Sequence, residues 1–200
     1  ANVIVSGVVQ GASAVTVAGH GATLAGTTFS YGPLPLVEGQ NAILLIATDA
    51  IGNAAQASIT IERDSTPPAL TILQPSSPLA ATTPIEVSGT AVDPHLESVT
   101  VGGAPATISG ADWVRTGFAL VEGANTITVR AVDSVGNASE VTRTITLDRS
   151  EPVISITEGG QPLANGRLFA RSVFPAFTAT DAGTPAAELL VEGRLDGQPF

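Results

Sequence analysis

Hydrophobic and polar residues alternate along residues 126–131, where Ile127, Val129 and Ala131 are separated by Thr and Arg residues. A period of two predicts a β-strand with one buried face and one solvent-facing side. A Glu-Gly pair precedes this strand and an Asp-x-x-Gly-Asn turn follows it, so that turn residues bound it at both ends. No stretch of the sequence keeps the 3.6-residue period of an amphipathic helix over a helical length. The pattern therefore predicts an all-β protein.

The same turn, strand and turn occur twice, at residues 36–53 and again 84 residues later at residues 120–137. The opening strand of this pattern also repeats, because residues 2–9 resemble residues 85–92 and Val5-Ser6-Gly7 aligns with Val87-Ser88-Gly89 at an offset of 82. The difference of two residues falls in a loop, so the register of the strands is kept. A period of this length predicts tandem immunoglobulin-like antiparallel β-sandwiches of about seven strands each.

We divide the chain into three modules joined by short linkers that contain Pro, which makes such joints stiff. Residues 1–64 form module 1, residues 65–148 form a complete module 2, and residues 149–200 form the N-terminal half of module 3. The first strand predicted in module 2, at residues 69–73, has no counterpart in module 1. That strand is either supplied elsewhere in a longer protein, or its absence leaves module 1 with an open edge.

The charge and hydrophobicity of the chain exclude several classes of protein and partner. Hydrophobic residues make up 44% of the chain and charged residues 13%, which is too apolar for a disordered chain. The formal net charge of −10 argues against nucleic acid or an anionic membrane as a partner. No apolar run approaches the roughly 20 residues that cross a bilayer, so we expect no membrane insertion by this segment. An acidic chain rich in Thr, Ala and Gly fits a soluble extracellular protein.

Two pairs of apolar residues are open to more than one interpretation. Phe29 and Trp113 occupy the same position in successive repeats, which favours a role in the core over display for stacking on sugar. Leu44 and Ile46 fall on the outward face of their strand, where the other repeat has polar residues. They are either covered by a neighbouring loop or form a contact surface.

No catalytic constellation is visible in the sequence. The two histidines, His20 and His95, fall in loops of different modules at non-equivalent positions, and neither lies in a nucleophile-elbow motif. The glycines fall in turns between short strands rather than before helices, so that no phosphate-binding loop is predicted. We therefore predict that this segment is not an enzyme.

Aspartates fall in the loops that such a sandwich would bring to the joints between modules, which predicts calcium sites there. The candidate calcium ligands are Asp64, Asp93 and Asp133 at the first joint and Asp148, Asp181 and Glu151 at the second. Calcium takes about six to eight oxygen ligands, and a bound ion would stiffen the array. The alternative is that Asp133, like Asp49 in module 1, only caps its Asp-x-x-Gly-Asn turn. No other cofactor is predicted.

Three motifs of module 2 carry a family resemblance: Val-Ser-Gly-Thr-Ala at residues 87–91, Val-Thr-Val-Gly-Gly at residues 99–103 and the segment at residues 121–137. Together they resemble bacterial immunoglobulin-like repeats, most closely the type similar to domain B of glucodextranase. Module 3, with Ala-Thr-Asp at residues 179–181 and Leu-Asp-Gly-x-Pro-Phe at residues 195–200, resembles a related immunoglobulin-like type. The resemblance implies a location outside the bacterial cell or on its surface, in adhesins, beside glycoside hydrolases or in spacers.

These features predict a non-catalytic repeat region that acts as a stiff spacer or stalk in a large bacterial surface or secreted protein, in adhesion or surface assembly. Its expected partners are neighbouring immunoglobulin-like modules of the same chain, and a surface protein or a glycan. The alternative is a carbohydrate-binding accessory module of a secreted glycoside hydrolase, which requires exposed aromatic rings. A third interpretation is self-association through Leu44 and Ile46 or through the open edge of module 1.

Overall fold

The computed structural model describes residues 1–163 and 175–181, together with the backbone of residues 194–195 and 198–199. Every regular element in these residues is a β-strand, which confirms the all-β prediction. Within the same described ranges, no helix is long and apolar enough to span a membrane.

The chain divides into two compact units, Ala1–Thr66 and Pro67–Phe200. The dividing point lies close to the boundary predicted between modules 1 and 2. The three modules at residues 1–64, 65–148 and 149–200 stay a prediction, because the second unit spans both of the later modules.

The first unit contains seven strands that form two sheets. The strands are β1 (Asn2–Val8), β2 (Ala14–Val17), β3 (His20–Gly21), β4 (Thr23–Ala25), β5 (Thr28–Pro35), β6 (Gly39–Thr48) and β7 (Ala54–Arg63). One sheet has the order β1-β5-β4 and the other the order β3-β2-β6-β7, and all of these pairings are antiparallel. Apolar side chains from both sheets meet between them. This core consists of Val5, Val15, Val17, Phe29, Leu36 and Ile43.

β6 and β7 form the longest hairpin of the first unit, in which Gly39–Thr48 pairs with Ala54–Arg63. The alternation predicted for β6 is present, because Ile43 is 2% exposed whereas Leu44 beside it is 43% exposed. Leu44 therefore lies on the outer face and is exposed, while Ile46 is half-buried.

Nine strands of the second unit form a larger two-sheet sandwich. They are β8 (Ala69–Gln74), β9 (Leu79–Ala80), β10 (Ile85–Val92), β11 (Leu96–Val101), β12 (Ala104–Pro105), β13 (Thr107–Ser109), β14 (Asp112–Phe118), β15 (Gly123–Asp133) and β16 (Ala138–Leu147). The sheets have the orders β13-β14-β10-β8 and β12-β11-β15-β16-β9. Their pairings are antiparallel except that of β9 with β16, which is parallel.

The aromatic residue at the repeated position lies in the core of each unit. Phe29 is 8% exposed in the first unit and Trp113 is 1% exposed in the second. Trp113 packs in one cluster with Val87, Val99 and Ile127, which come from both sheets. The prediction of a core role for Phe29 and Trp113 is therefore confirmed.

A separate small sheet follows the second sandwich. Its strands are β17 (Val153–Glu158), β18 (Gln161–Pro162) and β19 (Ala176–Thr180), in the order β18-β17-β19. The sequence predicts the second strand of module 3 at residues 174–181, and β19 lies in that range, whereas Phe174 lies outside the described residues. Two short strands, β20 (Arg194–Leu195) and β21 (Gln198–Pro199), pair with each other. The rest of the motif at residues 195–200 lies outside the described residues.

Candidate functional site

The Asp-x-x-Gly-Asn turn of the second unit is organised by the buried side chain of Asp133. Its Oδ1 accepts hydrogen bonds from the backbone N–H groups of Val135 at 3.0 Å and Asn137 at 2.8 Å. Its Oδ2 accepts a hydrogen bond from Nδ2 of Asn137 at 2.7 Å. The chain then reverses through Gly136 with a φ of 95°, a conformation that favours glycine. Both carboxylate oxygens of Asp133 are thus engaged within its own turn.

The same turn in the first unit has the same hydrogen bonds. Asp49 accepts from the backbone N–H groups of Ile51 at 3.0 Å and Asn53 at 2.8 Å, and from Nδ2 of Asn53 at 2.8 Å. The hydrogen bonds from Asn53 are the main cause that lowers the pKa of Asp49. Burial alone would raise the pKa of Asp133, but the hydrogen bonds from its turn outweigh burial and lower it. The capping role that the sequence offers as the alternative to calcium is therefore present in both turns.

Two other predicted calcium ligands, Asp64 and Asp93, each accept a hydrogen bond within their own loop. Asp64 accepts from the backbone N–H of Thr66 at 3.1 Å. Asp93 accepts from the backbone N–H of His95 at 2.7 Å. The structure also brings the loop of Asp93 next to the turn of Asp133, because the N–H of Ser134 donates to the carbonyl of His95 at 2.9 Å.

The three residues predicted at the second joint lie in different surroundings. Asp148 accepts hydrogen bonds from the backbone N–H and the hydroxyl of Ser150. One oxygen of Asp181, Oδ1, is buried without a hydrogen-bond partner among the described residues. Glu151 is exposed. Calcium binding at the two joints stays a prediction.

A second recurring feature is the Glu-Gly corner at the start of β6 in the first unit and of β15 in the second. In the second unit, the N–H of Val121 donates to Oδ1 of Asn125 at 2.8 Å, and Nδ2 of Asn125 donates to the carbonyls of Val121 and Gly123, both at 2.7 Å. Asn41 makes the same three hydrogen bonds in the first unit. One amide side chain therefore closes each corner around its glutamate.

The glutamate of each corner binds the residues that follow the last strand of its sandwich, β7 in the first unit and β16 in the second. Glu38 accepts hydrogen bonds from the backbone N–H of Ser65 at 2.8 Å, the hydroxyl of Ser65 at 2.7 Å and the hydroxyl of Thr66 at 3.0 Å. The backbone N–H of Ser65 is the main cause that lowers the pKa of Glu38. Glu122 accepts from the backbone N–H and from Nε of Arg149, both at 3.1 Å.

The same contact is thus made twice, by residues 27 positions apart in each case. We call it the linker clamp: Glu38 with Ser65 and Thr66 in the first unit, and Glu122 with Arg149 in the second. The sequence patterns described above do not predict this contact. The sequence feature that could have indicated the clamp is the Glu-Gly pair, which repeats after 84 residues. Each time a polar residue follows 27 positions after the glutamate, at the start of a linker.

The folds, corners and turns define an immunoglobulin-like β-sandwich that recurs along the chain. Residues 68–149 match the family model described as glucodextranase, domain B, which confirms the resemblance that the motifs of this segment carry. The match covers less than half of the chain. None of the curated proteins matches the chain.

Three solved structures illustrate what the chain is similar to. Fibronectin(III)-like modules of Clostridium thermocellum CbhA share 16% identity over 73% of this chain and 85% of theirs, with a TM-score of 0.38. A tetra-tandem repeat in the extending region of a large adhesion protein shares 25% identity over 90% of this chain and 53% of its own, with a TM-score of 0.37.

The third is SGBP-B of the Bacteroides ovatus mixed-linkage glucan utilization locus, solved in complex with a mixed-linkage heptasaccharide. It shares 15% identity over 83% of this chain and 48% of its own, with a TM-score of 0.25. The chain thus spans about half the length of the second and third of these structures.

Proposed function

We propose that this segment is a non-catalytic spacer, built of immunoglobulin-like modules, in a bacterial secreted or cell-surface protein that acts in adhesion or surface assembly. The observation that carries the proposal is the linker clamp, which is present at the end of both sandwiches. A spacer must fix the direction in which the chain leaves each module. In both sandwiches the corner glutamate binds residues that follow the last strand, β7 or β16, and this contact supports the requirement.

The clamp supports stiffness because it acts on backbone groups. An exposed ion pair such as Glu122 with Arg149 contributes little by itself. The backbone N–H groups of Ser65 and Arg149 are bound as well, which restricts the dihedral angles where each linker begins. Prolines at positions 67, 68 and 152 restrict the next residues of the two linkers.

Limited proteolysis tests this role of the clamp. Trypsin cuts after Arg149 only when the backbone there can leave the module and enter the protease. We expect Glu122→Gln to be cut at this bond several times faster than the wild type, because a neutral amide holds the Arg149 backbone and side chain more weakly. Glu140→Gln, an exposed carboxylate of β16 outside the clamp, is the matched control and should leave the rate unchanged. Equal cutting rates in wild type and Glu122→Gln would remove the main support for a spacer.

A carbohydrate-binding module is the second candidate, and one surface pair favours it. The rings of His20 and Tyr31 stack with centroids 5.5 Å apart and an angle of 2° between their planes. His20 is exposed and Tyr31 is half-buried, whereas Phe29 and Trp113 are buried and cannot pack against a sugar. A glycan array decides between the two: specific binding that Tyr31→Ala abolishes, in a folded protein, would favour this candidate over the spacer.

A further inference from the structure

Both sheets of the first unit have an open edge on the same side. Among the described residues, β1 pairs only with β5, and β7 pairs only with β6. The repeat makes β10 the equivalent of β1 and β16 the equivalent of β7. In the second unit these two strands are flanked by β8 and β9 respectively. A single segment, residues 69–80, therefore covers both edges in the second unit.

The apolar interior of the first unit is accessible between its two open edges. A groove of about 350 Å³ is lined mainly by apolar side chains, including Val8, Val9, Val15, Phe29, Leu45 and Ala57. Ile59 also points inward beside Ile43, its partner in the strand pairing, yet it is 44% exposed. In the second unit, Leu70 and Ile72 of β8 pack against the equivalent core residues. The groove is therefore the space that two alternate side chains of such a strand would fill.

β1 and β10 each have a glycine near the centre, and the space beside that glycine shows whether a neighbouring strand is present. A Cβ atom on Gly89 would lie 2.0 Å from the backbone oxygen of Thr71, because β8 passes directly over this position. The equivalent residue in the first unit is Gly7, where a Cβ atom would meet only the ring of Phe29, at 2.8 Å. In the second unit, the backbone of β8 lies beside Gly89. None of the described strands lies beside Gly7 at the equivalent place in the first unit.

We propose that this open side of the first unit binds an extended polypeptide segment of the repeat's own first-strand type. The segment adds to β1 as an antiparallel strand and places apolar side chains, spaced like Leu70 and Ile72, in the groove. A strand added to an open edge gains backbone hydrogen bonds, and the alternate side chains give specificity. A second copy of the chain fits less well: its own β1 and β7 already direct their inner side chains into their own groove, so edge pairing would leave both grooves unfilled.

A labelled peptide with the sequence of residues 67–76, titrated into the whole chain, tests the proposal. We expect one peptide to bind per chain and to protect the amide hydrogens of β1 from exchange. Ile59→Asp should weaken the association by at least about tenfold, because it places a charge on the inward-facing side of β7, two residues from Ala57 of the groove lining. Leu44→Asp is the matched control, since Leu44 lies on the opposite face of the same sheet and is 43% exposed against 44% for Ile59. It should leave the association constant within about twofold.

The same titration gives the results that would overturn the proposal. A folded chain that binds no peptide at millimolar concentration contradicts it, and so does an equal loss of binding in Ile59→Asp and Leu44→Asp. The peptide could also bind the second unit by replacing β8. Ile59→Asp would not change the affinity of that binding, and this result also counts against the proposal. A chain that dimerises alone, with Ile59→Asp abolishing the dimer and no peptide bound, would make a second copy the occupant. A peptide with Asp at both apolar positions should not bind.

Discussion

The substitution Gly89→Ala tests how closely the first strand of the second unit packs against its neighbour. A Cβ atom at position 89 would lie 2.0 Å from the Thr71 backbone oxygen and 2.7 Å from the Trp113 ring. The backbone of a paired strand cannot turn aside as the end of a flexible side chain can. β8 must therefore move by more than about 1 Å to reach an ordinary contact distance of about 3.5 Å.

The size of the effect follows from what β8 contributes to the second unit. Its Leu70 and Ile72 are partly buried against the core. Full burial of a Leu or Ile side chain stabilises by about 1.5–3 kcal/mol, so half of that for each of two residues gives about 1.5–3 kcal/mol in all. A weakened backbone hydrogen bond adds about 1 kcal/mol. We expect Gly89→Ala to lower the free energy of unfolding of this unit by about 2.5–4 kcal/mol, a large share of the total of about 5–15 kcal/mol for a typical domain.

Urea titration followed by tryptophan fluorescence measures this loss. Trp113 is the only tryptophan and is 1% exposed in the core of the second unit, so its fluorescence reports the unfolding of that unit. Gly7→Ala is the matched control in the first unit, where the added Cβ meets only the Phe29 ring, and it should leave the tryptophan curve unchanged. A loss below about 0.5 kcal/mol in Gly89→Ala, the range of ordinary surface substitutions, would refute the reasoning.

Three further predictions concern the turns, the corners and calcium. The pKa of Asp133 is lowered in the folded state, so the stabilisation by its carboxylate is complete above the ordinary pKa of 3.8 and is lost as the pH falls through the folded pKa. Acid unfolding followed by tryptophan fluorescence should show this loss of stability. Asp133→Asn should make the loss smaller, because the variant has no carboxylate to protonate at this position. Asn125→Ala removes three hydrogen bonds from the corner and should lower the free energy of unfolding by about 2 kcal/mol in the same urea assay, whereas an unchanged midpoint would contradict the role of the amide. If calcium binds at the joints, calorimetry at millimolar calcium will detect heat that Asp93→Asn or Asp148→Asn lowers and that Asp49→Asn leaves unchanged; no heat in the wild type would contradict the sites.

Much of the fold was predictable because its signals lie within short stretches of sequence. The alternation at residues 126–131 and the turns at its two ends indicate β15, and the repeat transfers that information to β6. The shared position of Phe29 and Trp113 indicates a core position, since the same slot takes a large ring in both repeats. The capping role of Asp133, the alternative to calcium binding, could also be predicted, because its hydrogen bonds connect residues at most four positions apart.

The remaining features depend on contacts between residues that are distant in sequence. The strand β9 has two residues, Leu79 and Ala80, which is too short for any period to be visible. The linker clamp joins a corner to a linker through two polar residues, and polar residues in loops carry no periodic signal. The missing first strand of the first unit was visible from the repeat, but the groove beside Ile59 follows only from the packing of both sheets.

The measurement that tests the spacer most directly is nuclear spin relaxation of the backbone amides of Ser65, Thr66 and Arg149. If the linker clamp holds the start of each linker, their order parameters will match those of a rigid backbone, about 0.85. In the double variant Glu38→Gln/Glu122→Gln we expect them to fall towards the flexible range, below about 0.6, while the amides of β6 and β15 keep their values. Order parameters that are already below about 0.6 in the wild type would contradict the account, because the linkers would then be free where each sandwich ends.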